Sequence, residues 1–197
     1  MELNKKRYND LDTYYKKKYR KKIIKLPIDD GFTCPNRDGT ISTLGCIYCS
    51  DNGAGEWTYK DAGGIREQIK HQKNLLSKEN RDEAYIAYFQ NFTNTYGDVR
   101  KMREMFYAAI SEPDIIGLSI ATRADCLPDE VLDLLDELNQ ITDLTVELGM
   151  QSVNDRTLKF INRGYDHATF DEGVKKLSNL GIDMIAHIIV GFPEETM

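Results

Sequence analysis

The sequence predicts an α/β protein built on a parallel sheet, and three observations carry that expectation. Five short apolar runs rich in β-branched and aromatic residues read as buried strands. The stretches between them repeat apolar residues at three- and four-residue spacing, the period of an amphipathic helix. From the second run onward a strand recurs roughly every thirty residues, the length of a β-α-β unit. Such alternation implies parallel strands joined by right-handed crossovers. An open doubly wound sheet and a closed or partial barrel satisfy it equally.

The first strand is expected in KKIIKLPI, residues 21–28, and the second in AYIAYF, residues 84–89. Helical spacing over 64–79 precedes the second strand, and spacing over 98–111 precedes the third, IIGLSIA at 115–121. A helix over 128–139 leads to LTVELGM at 144–150, and one over 167–180 leads to DMIAHIIVGF at 183–192. Pro128 opens its helix with Asp129 and Glu130 in the first turn, where the dipole favours acids, and Gly181 stops the last one. Pro193, Glu194 and Glu195 read as the start of one more helix, so the chain is expected to stop inside a domain.

At 197 residues, with 41% hydrophobic and 29% charged residues, the chain has the size and composition of one folded domain rather than a disordered protein. No linker, low-complexity tract or repeat divides it, so the reading is a basic segment over 1–20 and a core domain over 21–197. No run of eighteen apolar residues occurs, and MELNKKRYND lacks the apolar centre of a secretion signal, which points to the cytoplasm and to no membrane partner. Thiols stay reduced there, so clustered cysteines read as metal ligands or redox groups. Charge is uneven: residues 1–25 hold ten Lys/Arg against three acids, a local +7 in a chain of net −6. Tyr14, Tyr15 and Tyr19 alternate with those cations, which suits phosphate contact with base stacking and equally a solvated helix face.

Three of the four cysteines lie in CPNRDGTISTLGCIYCS, residues 34–50: Cys34, eleven residues, Cys46, two residues, Cys49. The C-x-x-C pair lets two thiolates reach one metal or one cluster. Zinc normally takes four protein ligands, no second knuckle exists, and nothing local recommends Cys126 as the fourth. A thioredoxin-like pair is weakened by the third cysteine nearby. Three thiolates on a four-iron cluster leave one iron open for a substrate or cofactor. Ligand counting leaves zinc and cluster level. Position favours the cluster, because the loop follows the first strand at its C-terminal end, where ligand sites collect in parallel α/β folds.

Further motifs then complete a pattern: Tyr48 just before the last cysteine, YFQNFTNTY, SIATRADCLPDE, VELGMQS on the fourth strand, INRGYDH, and HIIVGFP on the fifth. From about residue 20 to its last residue the chain resembles the radical S-adenosylmethionine (SAM) enzymes. Within them it looks most like a YtqA/YhcC-like family, related to the elongator catalytic subunit and to oxygen-independent coproporphyrinogen oxidase.

The resemblance implies a partial (β/α)6 TIM-like barrel of radical SAM type, truncated after the fifth strand. It implies that Cys34, Cys46 and Cys49 hold three irons of a 4Fe-4S cluster whose fourth iron chelates SAM. Reductive cleavage of SAM would then give methionine and a 5'-deoxyadenosyl radical that abstracts hydrogen from a substrate. By the same resemblance Tyr48 lies against the adenine, Gln151 reaches the ribose or methionine portion, Arg163 pairs with the methionine carboxylate, and Gly191 lets backbone approach the adenine. Glu147 shares the face of Gln151 two pleats away, a buried acid whose partner the sequence does not identify.

Some positions depart from the wider pattern. The eleven-residue first gap fits the YtqA/YhcC-like family and not the common three-residue one. FQNFTNT stands where a Gly-Gly-Glu segment usually holds the methionine amino group, making Gln90, Asn91 and Thr93 its substitutes. His187 occupies the place of a ribose-binding aspartate. TRAD, residues 122–125, leaves Arg123 to face the cofactor, and Cys126 is expected to have no cluster role. The implied partners are SAM, an electron donor such as flavodoxin or ferredoxin, and, through the elongator kinship, tRNA at a modified wobble uridine. The alternative is a zinc-stabilised nucleic-acid-binding module without radical chemistry.

Overall fold

The computed structural model describes residues 7–29, 31–51, 53, 58, 63–77, 82–193 and 195. Residues 1–6 of the basic segment and Glu194, in the expected final helix, lie outside the described residues. The elements in chain order are α1 (Leu11–Tyr19), β1 (Lys22–Ile28), α2 (Ile65–Leu76), β2 (Glu83–Phe89), α3 (Val99–Ile110), β3 (Ile115–Thr122), α4 (Asp129–Asn139), β4 (Asp143–Gln151), α5 (Asp155–Phe160), α6 (His167–Asn179) and β5 (Asp183–Ile188). Side-chain caps fix several helix starts, as Asp98 accepts from Arg100 N, Asn154 from Arg156 N and Asp166 from Thr169 N. Among the described residues no helix is long and apolar enough to cross a membrane.

All five strands are parallel, and their spatial order is their sequence order. That order decides between the two architectures the sequence left open. Right-handed crossovers that always step the same way put every connecting helix on one face, whereas a doubly wound sheet must reverse at a switch point. The sheet is therefore a partial barrel with its helices outside. Pro27 fits because β1 is an edge strand, where a missing N–H costs no ladder bond.

The main core lies between the outer face of the sheet and the helices. Leu26, Phe89, Leu118, Ile120 and Val146 of the strands pack with Ile69, Phe106, Leu135 and Leu177 of α2, α3, α4 and α6. The alternate residues point inward. Ile23, Ala84 and Ile86 meet Tyr15 of α1 in a second cluster, with Tyr19 packed against it. Tyr15 and Tyr19 of the basic segment thus pack onto the lower end of the barrel rather than forming a solvated stacking surface, whereas Tyr8 and Tyr14 stay exposed. Several of its lysines are neutralised within the protein: Lys16 and Lys22 pair with Asp12, and Lys18 pairs with Asp143 at 2.7 Å.

The fifth strand is shorter than expected. It ends at Ile188 rather than 192, because its partner β4 has a register shift after Gly149 and ends at Gln151, whose φ of 69° turns the chain out of the ladder.

Candidate functional site

The first groups above the apolar plug form a polar layer across the inner face. Glu147, 3% exposed, accepts from Lys25 of β1, from Ser119 of β3 and, at 2.6 Å, from His187 of β5. These are the partners that the sequence did not identify for Glu147. Burial alone would raise its carboxyl, but the bonds from His187, Lys25 and Ser119 outweigh it and hold the pKa down at about 2. Burial pulls the Lys25 ammonium below the usual lysine range even beside Glu147, and that ammonium sits 3.6 Å from the centre of the Tyr88 ring.

Above that layer, at the C-terminal ends of the strands, lies a cavity of about 170 Å³. It is lined by Cys34, Cys46 and Cys49, by Tyr48, Gln90, Arg123, Gln151, Arg163 and His187, and also by Arg37, Thr93 and Glu147. Ten of the twelve expected site residues, all but Asn91 and Gly191, therefore line a single cavity. Gly191 does not line it. An added Cβ there would meet nothing within 4 Å, so its glycine is required by a φ of +96° and not by close approach of a ligand to its α-carbon.

The cysteine loop is held by its own turn residues and by the loop after α5. Asn36 Nδ2 donates to Asn162 O at 2.6 Å, Asn162 Nδ2 donates to Gly45 O at 2.7 Å, and Ile47 N donates to Ile161 O at 3.1 Å. Gly45 holds a φ of +70°, and a Cβ on it would come within 3.0 Å of Arg37 Nε. Arg37 uses Nη2 to bind the carbonyls of Cys49 and Ser50, at 2.9 and 2.6 Å. Burial raises the Cys49 thiol against the opposing pull of Arg37.

The arginines on the far wall are packed with Tyr165. Arg123 is buried and forms a fork onto Asp125, Nε to Oδ1 at 2.8 Å and Nη2 to Oδ2 at 2.7 Å, and its Nη1 donates to Arg163 O. Its charge is thus largely answered by Asp125, and it lines the cavity as a braced wall. Arg163 is 5% exposed and has no carboxylate partner among the described residues. Its Nη2 donates to Gly149 O and Tyr165 Oη, both at 2.6 Å, and its Nε is buried without a partner. Gly149 permits this arrangement, since a Cβ there would fall 2.6 Å from Gln151 Nε2 and 2.8 Å from Arg163 Nη2.

The FQNFTNT loop splits in role. Thr93 Oγ1 is buried on the cavity wall without a hydrogen-bond partner, and Gln90 also lines it. Asn91 is turned away, because its amide donates to the buried Asp29 carboxylate at 2.5 Å, so the expectation that it faces a ligand does not hold. Asn94 and Thr95 tie the loop to β3 and to Cys126 O. Cys126 is buried outside the cavity, with its thiol pushed up to about 12 by burial and by Asp125.

Among the described residues no three His, Cys, Asp or Glu side chains converge closely enough to hold a single metal ion. The three thiols belong to one loop and open onto one cavity, where Arg37 binds the Cys49 carbonyl and Arg163 reaches Cys46 Sγ.

A family model described as the Radical SAM superfamily matches residues 38–197. This chain belongs to the radical SAM superfamily. The match begins four residues after Cys34, and Cys46 and Cys49 fall inside it. The radical SAM chain is 45% identical over 190 residues to YtqA of Bacillus subtilis, covering 96% of this chain and 59% of that protein. It is 41% identical over 180 residues to YhcC of Escherichia coli K12, covering 91% of this chain and 57% of that protein. The chain thus spans somewhat over half the length of these relatives. A structure of the archaeal Methanocaldococcus infernus Elp3 matches its fold with a TM-score of 0.60 at 15% identity, over 88% of this chain and 39% of the other.

Proposed function

We propose that this chain is the core of a radical SAM enzyme that works in the cytoplasm and acts on a nucleoside of tRNA. The observation that carries the first part is the meeting of Cys34, Cys46 and Cys49 in one cavity at the C-terminal ends of the strands, beside buried polar groups still lacking partners. Cys34, Cys46 and Cys49 would hold a 4Fe-4S cluster, and Tyr48, Gln90, Thr93, Gln151 and His187 line the space in which SAM would lie against it. When bound, the two together supply the reductive cleavage of SAM that yields a 5'-deoxyadenosyl radical.

The chain's own residues bind, orient and exclude water. Tyr48, 37% exposed, offers a ring at the open side. Gln151 is aimed inward by its left-handed backbone and by the space over Gly149. Glu147 holds His187 by Nε2, which fixes the orientation of the imidazole on the wall shared with the lower part of the barrel. Electrons would come from a low-potential donor of flavodoxin or ferredoxin type.

The tRNA part rests on the elongator kinship seen in sequence and on the likeness of fold to archaeal Elp3. The basic helix adds little to it, since Lys16 and Lys18, though exposed like Lys17 and Arg20, are paired with Asp12 and Asp143. The test is to incubate the anaerobically reconstituted, reduced chain with SAM, with and without tRNA, and to measure 5'-deoxyadenosine. Formation stimulated by tRNA is expected. Formation unaffected by tRNA removes the substrate reading, and none in the presence of an intact cluster removes the enzymatic one.

A further inference from the structure

Among the described residues, Cys46 is the one cavity cysteine whose sulfur has side chains aimed at it by hydrogen bonding from two sides. Cys46 Sγ receives an N–H from Asn36 Nδ2 at 3.4 Å and one from Arg163 Nη1 at 3.8 Å. These lengths are ordinary for bonds to sulfur, which is larger than oxygen. Both donors are themselves buried, Asn36 completely. Both are also held in place independently of the sulfur. Asn36 is tied to Asn162 O, and Arg163 is tied to Gly149 O and Tyr165 Oη, with its guanidinium 4.5 Å from the centre of the Tyr165 ring.

The state of the Arg163 fork limits what else it can do. Both hydrogens of Nη2 are used by Gly149 O and Tyr165 Oη, and Nε is enclosed with no access for a ligand. One hydrogen of Nη1 is directed at Cys46 Sγ. What remains is a single N–H, too little for the two-point grip by which arginine recognises a carboxylate.

We propose that Asn36 and Arg163 are positioning residues for the Cys46 thiolate, and that they set the reduction potential of the cluster it helps to hold. This deepens the radical SAM reading and rests on it. One-electron reduction by an external low-potential donor adds a negative charge that spreads onto the thiolate sulfurs. No bond in the chain forms or breaks. Fixed N–H donors and a buried cation at one sulfur favour the more negative state and raise the potential. Tyr165 and Gly149 belong to the same device at one remove, since they hold the guanidinium.

The experiment is a redox titration of the reconstituted chain, reduced with dithionite through viologen mediators and followed by electron paramagnetic resonance. Asn36→Ser and Arg163→Gln are each expected to move the midpoint to more negative potential, and Arg163→Lys, which keeps the charge, to move it less than Arg163→Gln. Tyr165→Phe keeps the ring and cavity volume and is expected to shift it in the same direction by a smaller amount, which covers the case in which a buried substitution prevents folding. A second readout is affinity for SAM against decarboxylated SAM. Arg163→Gln is expected to leave their ratio unchanged, and a loss confined to SAM overturns the proposal by restoring a carboxylate clamp. Unchanged midpoints across the variants with full cluster content overturn it as well. A wild-type chain that assembles no cluster overturns the radical SAM reading and this inference with it.

Discussion

At the lower end of the barrel, cations and acids answer one another. Lys16 and Lys22 share Asp12, Lys18 meets Asp143, Lys21 meets Asp82, and Lys25 meets Glu147 inside the barrel. At the upper end the pattern changes. Arg123 has Asp125, but among the described residues Arg37 and Arg163 are bound only to carbonyls, a phenol and a sulfur. An isolated buried cation is expensive unless something compensates it. At the lower end charge is balanced within the chain, whereas the upper end holds positive charge that suits an anionic guest, and three thiolates carrying a cluster would be such a guest. The contrast locates function without appeal to any one motif.

Removing a thiol breaks the upper half of this contrast most severely. Cys46→Ser is expected to abolish cluster retention and 5'-deoxyadenosine formation, read by iron and sulfide analysis, while the thermal melt of the apo chain changes little. At the lower end the same severity should appear in stability instead. Glu147→Ala leaves Lys25 buried without its partner, a change that costs about 3–5 kcal/mol and lowers the melting temperature by on the order of 10 °C for a chain of this size.

A smaller effect concerns pH. The Glu147 carboxyl is held at about 2 in the folded chain, below its ordinary 4.5. The unfolded state therefore takes up the proton first, and the contribution is full above about pH 4.5 and lost as pH falls towards 2. Its size is on the order of 3 kcal/mol. A series of denaturant melts should show this acid slope, and Glu147→Gln should flatten it. The smallest change is expected at the exposed pair Lys16–Asp12, where Lys16→Ala alters stability by no more than about 1 kcal/mol and leaves cluster content unaltered. A large loss of cluster from that variant would undo the division between the two ends.

Much of the fold could be read in advance because its strands and helices are strongly periodic, and the observed ends lie within a few residues of the expected ones except at β5. That strand depends on β4 for its partner, and the irregular turn at Gln151 is not a property of the β5 sequence itself. The cysteine spacing and the flanking motifs were likewise local signals. The partners of Glu147 were not, since Lys25, His187 and Ser119 stand 122, 40 and 28 residues away. Composition listed Tyr15 and Tyr19 among cations but contained no information on which side of α1 faces the sheet. Asn36 lies between two of the cysteines and Gly149 in the fourth strand; what matters at both is a neighbour more than one hundred residues or only fourteen residues away, brought close by the folded chain.

The central claim is that the upper cavity holds an iron-sulfur cluster through Cys34, Cys46 and Cys49. The most direct measurement is the iron and acid-labile sulfide content of the anaerobically reconstituted chain, together with its visible absorbance, beside the variant in which all three cysteines are serine. The account predicts about four irons and four sulfides per chain, with thiolate-to-iron charge-transfer absorbance, and neither in the variant. Bound zinc without sulfide, or equal iron and sulfide in the two proteins, would contradict it.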